Sequence, residues 1–522
     1  MVKCLSPAVL LLGVLAGYAA LGAPEPPPLR FEVTMADGLV DKPQDGRLLV
    51  LIGRKGDEEP RHAIDPEDVD GPAVLGRDVK GLAPGATAVV DQDADFYPYE
   101  RLSQLPKGDY VVQAVLDVNH SLKLIDAPGN LRSEPLKVSI DPDRGGVISI
   151  ELKRRAPEEK PPKETDYVHF VELQSELLSK FNGRPTVLRA GVILPRDFDK
   201  DPDRRYPLRV EIGGYGTRYT AVLGMMDPSS RFRRAWLDDG APRMVLLHLD
   251  GAGPYGDPYQ VNSDNNGPYG DAVTQELIPY VEKKFHCIGE PYARVLSGAS
   301  TGGWVSLALQ VFYPDYFNGA WAHAPDPVDF RCYELINIYR DDNAYVNRHG
   351  FERGASRDID GDVRTTVRHE CRLEAALGVG GRWELSGKDW CAWNAVFGPR
   401  GDDGLPKPLW DGKTGRIDPT VVDHWKKYDL RLRLQQDWAA LGPKLRGKLH
   451  IWVGEADDYY LNNAVHLLDA FLAEAHPAFE GKITYGMCKN HFWRGLTTRQ
   501  MLDEMAAQVE KGRKEKEGAS RP

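Results

Sequence analysis

Between residues 29 and 153 apolar and polar positions alternate in short runs, clearest in Leu29, Phe31, Val33 and Met35 and again in Tyr110, Val112, Ala114 and Leu116. A period of two, broken by Gly, Pro and Asp, predicts strands with one buried face. The runs LRFEVTM, GRLLVLIG, GDYVVQAVLDVN, PLKVSI and VISIELK predict a small all-β sandwich domain over 24–153. The charged, proline-rich stretch RRAPEEKPPKETD, residues 154–166, reads as a linker. From 167 to 510 the pattern changes. VHFVELQSELL and TVLRAGVILP are expected to pair through a tight turn at Asn182-Gly183. Short apolar runs then alternate with helical ones: PLRVEIGG, MVLLHLDG, the helical TQELIPYVEKKF, RVLSG, a helix from about Thr301, FNGAWAHA, KLHIWVG and KITYG. Strands alternating with helices predict an α/β domain with a mostly parallel sheet covered on both faces. The tail at 511–522 reads as disordered.

A chain of 522 residues is too long for one ordinary core, which agrees with two domains. The start, MVKCLSPAVLLLGVLAGYAALGAPEPPP, has a basic residue, an apolar run, small residues and then prolines; it predicts a signal peptide over 1–23 and a secreted or periplasmic protein. No later segment is apolar enough to span a bilayer. The net charge of −11 argues against a nucleic-acid partner, because phosphate binding needs clustered Lys and Arg. Removal of the leader would leave Cys287, Cys332, Cys371, Cys391 and Cys488, an odd number; one disulfide among Cys332, Cys371 and Cys391 is expected. No Cys/His spacing for zinc occurs, and the aspartates of DQDADF and RDIDGDV read better as turns than as calcium loops.

The candidate chemistry begins at Ser300, in RVLSGASTGGW. Here an apolar strand passes abruptly into a helix, with Gly298 and Gly302 two residues either side of the serine. That G-x-S-x-G arrangement holds a hydroxyl on a sharp bend beside a helix N-terminus, where backbone amides favour a developing oxyanion. A serine nucleophile needs a base and an orienting carboxylate later in the chain. Asp457 follows the strand KLHIWVG, with Asp458 as the rival acid, and His491 follows the strand KITYG. The glycine-rich IGGYG after PLRVE offers the second oxyanion donor: the N–H of Tyr215, or of Gly214, beside that of Thr301.

These residues resemble the "putative esterase" branch of the α/β-hydrolases, which includes esterase D (S-formylglutathione hydrolase), feruloyl and acetylxylan esterases, enterochelin esterases and mycolyltransferases. The matching pieces are RRYPLRVEIGGYG, NGPYGDAVTQELIPYVEKKF, YARVLSGASTGGWVSLALQVFYPDYFNGAWAHAPDPVDF, WVGEADDYYL and NHFW, spread over about residues 167–505. The resemblance implies an α/β-hydrolase fold with Ser300 as nucleophile, Asp457 as acid and His491 as base, needing no cofactor and no metal. Ala299 and Thr301 around the serine, and Asn490 before the histidine, depart from the commoner pattern. Residues of about 326–446 form an expected cap over the site. Six of the chain's eleven tryptophans lie there, Trp383, Trp390, Trp393, Trp410, Trp425 and Trp438, either as the cap's own core or as a pocket for a sugar or phenolic ester.

The expectation is an exported serine esterase acting on a small-molecule or carbohydrate-linked ester. A serine peptidase or an acyltransferase would use the same triad, and a non-catalytic exported binding module would rest on the β domain. Neither the acyl and alcohol groups nor the oligomeric state is legible in the residues.

Overall fold

The computed structural model describes residues 28–54, 56 and 58–519; the expected signal peptide lies outside them. The N-terminal strands form one nine-stranded sheet rather than two separate ones. Strand Arg30–Met35 pairs parallel with Val147–Arg155, and Gln44–Arg54 pairs antiparallel with both Ala73–Leu82 and Gly108–Asp117. Phe31, Val33 and Met35 share a core with Leu48, Val50 and Ile52, although three strands separate the two in the hydrogen-bonded order. The sheet therefore curls over its own apolar face. On its other face Leu49, Leu51, Val74 and Val115 pack against Leu373, Ala376 and Leu377 of the helix Val367–Leu377.

The second sheet has eight strands. Val168–Ser175 and Thr186–Ile193 pair antiparallel at one edge; six strands then run parallel in the order Val245–Leu249, Leu208–Ile212, Arg294–Ala299, Ala320–His323, Leu449–Gly454, Lys482–Gly486. Alternate residues feed two layers. Leu296, Ala322 and Ile451 join the larger core with Trp304, Val305, Ala308 and Leu309 of the helix Thr301–Phe312. Val295, Trp321 and Trp452 face the other way, onto Leu502, Met505 and Val509 of the C-terminal helix. Both faces are thus covered, as the pattern predicts for a mostly parallel sheet.

Three expectations are corrected. The turn at Asn182-Gly183 ends a short helix, Glu176–Asn182, capped by Ser175 at its start and by Gly183 at φ 64° at its end, so no tight hairpin forms. The tail is helical: Thr498–Ala519 is continuous, with Arg513 paired to Glu510 and Glu517 one turn either side and Lys516 reaching Glu290 at 2.7 Å. No disulfide joins Cys332, Cys371 and Cys391, which are all free thiols; Cys391 instead points its Sγ at the carbonyl of Glu384, 3.1 Å away. Asp91 and Asp95 of DQDADF are engaged by Arg77 and Arg47, and Asp358 of RDIDGDV by Arg364.

Candidate active site

Ser300 stands between the strand Arg294–Ala299 and the helix Thr301–Phe312, at φ 57° and ψ −124°. A non-glycine residue in such a conformation costs on the order of 1–3 kcal/mol and persists where the surroundings over-determine it. Here they do. A Cβ on Gly298 would collide with the backbone of Gly302, and one on Gly302 would run into the carbonyl oxygens of Ile212 and Gly213. Strand and helix can approach this closely only because both positions lack side chains.

His491 and Asp457 come together as expected. Nδ1 of His491 lies 2.9 Å from Oδ2 of Asp457, both residues being buried. The other oxygen of Asp457 accepts the backbone N–H groups of Tyr459 and Leu461 at 3.0 and 3.2 Å, so the carboxylate is held from both sides. Asp458 lies near Arg364, 3.9 Å distant, and the ion pair to the imidazole is made by Asp457. The ring of Tyr459 meets the imidazole edge-on, with centroids 4.8 Å apart.

Ser300 and His491 line the same cavity, of about 360 Å³, together with Gly214, Tyr215 and Thr301. Gly214 approaches Ser300 closely, and a Cβ there would sit 3.8 Å from the serine's own Cβ. The N–H of Gly216 is taken by Asp257, whereas among the described residues those of Tyr215 and Thr301 are given to no protein acceptor. The side chain of Tyr215 is anchored in the cap, its phenol donating to the carbonyl of Gly387 at 2.8 Å.

The hydroxyl of Ser300 is directed not at His491 but at Asp326, which the sequence reading did not single out. Ser300 Oγ donates to Asp326 Oδ1 at 3.2 Å; Thr301 Oγ1, Tyr259 OH and Trp393 Nε1 all donate to Oδ2, at 3.0, 2.5 and 3.2 Å. Burial raises the pKa of Asp326, opposed by the donors Tyr259, Thr301 and Trp393 and by the charge of His491. Asp326 falls just after Ala324, at φ 40°, where the sheet strand turns into the cap.

Two further groups of carboxylates were also missed. Asp65 and Glu67, from the N-terminal domain, reach the cavity wall, and Glu67 accepts the phenol O–H of Tyr459. From the cap come Glu334, Glu370, Glu374 and Asp389, beside Trp390 and Trp393. Burial pushes Glu370 up to about 7 and Glu374 up to about 8. No spacing rule brings these residues together; only the fold of the cap does. Trp383, Trp390, Trp410 and Trp425 are nearly inaccessible and pack in the large core, so the tryptophans serve mainly the cap's own packing, with Trp390 and Trp393 also lining the cavity.

A family model described as "Putative esterase" matches residues 183–498, more than half of the chain. The chain belongs to that family, and it is a carboxylic ester hydrolase. No curated protein matches it. Among solved structures it is similar to a ferulic acid esterase (14% identity, TM-score 0.39, 66% of this chain and 98% of that one). It is similar also to an S-formylglutathione hydrolase from Agrobacterium tumefaciens (14% identity, TM-score 0.37, 66% and 97%). Dipeptidyl peptidase 4 of Porphyromonas gingivalis aligns over 84% of this chain and 46% of its own, at 14% identity and TM-score 0.37. Among the described residues no helix is long and apolar enough to cross a membrane.

Proposed function

We propose that the chain is an exported serine esterase that cleaves a carboxylic ester of a small or carbohydrate-linked molecule through an acyl-enzyme on Ser300. The observation that carries this reading is the constrained Ser300 opening onto the same cavity as His491, whose Nδ1 is 2.9 Å from Asp457. The Ser300 hydroxyl turns from Asp326 towards Nε2 of His491, a rotation about one side-chain bond. His491 takes its proton as Oγ attacks the ester carbonyl, and the oxyanion lies against the N–H groups of Thr301 and Tyr215. The imidazolium, held by Asp457, then protonates the leaving alcohol. Water attacks the acyl-enzyme by the reverse route and frees the acid. Export rests on the pattern of residues 1–23.

The test is hydrolysis of p-nitrophenyl acetate and butyrate by the mature chain and by its Ser300→Ala variant, both shown to be folded. A fall of about three orders of magnitude or more in kcat/KM is expected. Equal hydrolysis by the two proteins would remove Ser300 from the mechanism. Faster turnover of an aminoacyl nitroanilide than of either ester would make the enzyme a peptidase.

A further inference from the structure

Seven carboxylates line the cavity over Ser300, with His491 and Arg494 also in its wall, and they fall into two kinds. Five are satisfied by protein. Asp65 accepts the backbone N–H of Glu67 at 2.9 Å. Asp326 has the donors described above. Glu370 accepts from Thr365 Oγ1 at 2.6 Å and Trp390 Nε1 at 2.8 Å. Glu374 accepts from Ser386 Oγ at 2.7 Å and from the N–H groups of Trp390 and Cys391 at 2.9 and 3.0 Å. Glu67 has Tyr459 and, 3.4 Å away, Arg364.

Glu334 and Asp389 have no such support. Glu334 is only 3% exposed, and its Oε2 is buried without a hydrogen-bond partner. Among the described residues its carboxylate meets no cation, and the charges that bear most on it, Glu370, Asp326, Asp389 and Glu67, are all negative. Asp389, the first residue of the helix Asp389–Phe397, forms no side-chain hydrogen bond or ion pair among the described residues; it is only partly buried, and the charge of the adjacent Lys388 bears on it. A buried acid without a partner costs several kcal/mol if charged, and costs an unmade hydrogen bond if neutral. Such a group is retained more readily where a ligand completes it.

We propose that this wall is a cation subsite, and that the substrate is an ester carrying a protonated amine whose ammonium group is received by Glu334 and Asp389. This deepens the esterase reading and rests on the cavity being its substrate site. An ammonium brings three donors and one positive charge, which match two unpartnered carboxylates in an acidic enclosure. The indoles of Trp390 and Trp393 beside them add surfaces that attract a cation. A bare metal ion fits less well, since among the described residues no three Asp, Glu, His or Cys side chains converge closely enough to hold one. Burial and the neighbouring carboxylates raise the pKa of Glu334; an ammonium favours its ionised form, whereas a neutral sugar or phenolic ester offers it a hydrogen bond but no charge partner.

The test uses Ser300→Ala protein, so that binding is measured without turnover and stands apart from the outcome of the hydrolysis assays. Benzylammonium and benzyl alcohol, which are nearly the same shape, are titrated calorimetrically. Benzylammonium is expected to bind at least about tenfold more tightly, and Glu334→Gln in the same background is expected to reduce that preference to within about twofold. Asp389→Asn should reduce it in the same direction, and it carries the test if Glu334→Gln does not fold. Equal binding of the two probes would overturn the proposal. So would a preference that survives in whichever of the two variants fold, or displacement of benzylammonium by micromolar Ca²⁺.

Discussion

Glu67 of the N-terminal sheet domain accepts a hydrogen bond from Tyr459, which lies two residues beyond Asp457, the proposed triad acid, and packs on the imidazole of His491. A residue 392 positions away in the chain thereby supports the ring that carries the proposed proton transfer. The N-terminal domain is thus more than a neighbour. It is also fastened to the cap: Arg47, itself buried, donates to the carbonyl of Ala376 at 2.8 Å and pairs with Asp78 and Asp95 at 3.0 and 2.7 Å.

Replacing Glu67 with Ala should leave the Tyr459 phenol without its acceptor in a half-buried setting. We expect kcat/KM for p-nitrophenyl acetate to fall about tenfold, a loss typical of one hydrogen bond to a charged group. Tyr459→Phe removes the donor but leaves Glu67 beside Arg364, 3.4 Å away, and should cost less. An unchanged rate in Glu67→Ala would mean that the contact between the domains is structural only.

The backbone at Ser300 yields a second expectation. Glycine occupies φ 57° with less strain than alanine, so Ser300→Gly should melt at a higher temperature than Ser300→Ala, by about 1 kcal/mol in unfolding free energy. Both should be inactive. Gly302→Ala should do the reverse, destabilising the protein by more than about 2 kcal/mol, because its methyl group would meet the backbone of the neighbouring strand. Chemical denaturation of the three variants compares them directly.

Glu370 and Glu374 set a pH dependence of stability. Their pKa values are raised by burial, from 4.5 to about 7 and about 8, so the folded state binds more protons than the unfolded chain above pH 4.5. Unfolding free energy from these two groups is therefore greatest below that point. It declines as the pH rises through about 7 and then about 8. These two groups lower the melting temperature between pH 5 and 9, against the rise up to about pH 6.5 that buried His323 and His450, both lowered to about 4, contribute; Glu370→Gln should flatten the part of the Glu370 decline below about pH 7. A pH dependence unchanged in the variant would show that Glu370 is ionised in the folded protein.

Much of the hydrolase domain was legible because it depends on local signals. Period-two and continuous apolar runs mark its strands, and the glycine spacing around Ser300 marks a turn that only glycine on both sides permits. The order of Ser300, Asp457 and His491 could be read because each follows a recognisable strand. Asp326, Glu334 and Glu67 could not be, since their meeting depends on how a long insertion and a separate domain fold back over the sheet. The helix that Gly183 ends and the helical tail were misjudged for a related reason. Capping by Ser175, and ion pairs one turn apart around Arg513, outweighed a turn-like dipeptide and a highly charged composition.

The most direct test of the central claim is to mix the mature protein rapidly with p-nitrophenyl acetate, quench in acid within the first turnovers, and locate any acetyl group by peptide mass spectrometry. The account predicts a burst of p-nitrophenol and a single acetylated peptide modified at Ser300, with no burst and no adduct in Ser300→Ala. An acetyl group on another residue, or a burst that survives in Ser300→Ala, would contradict it.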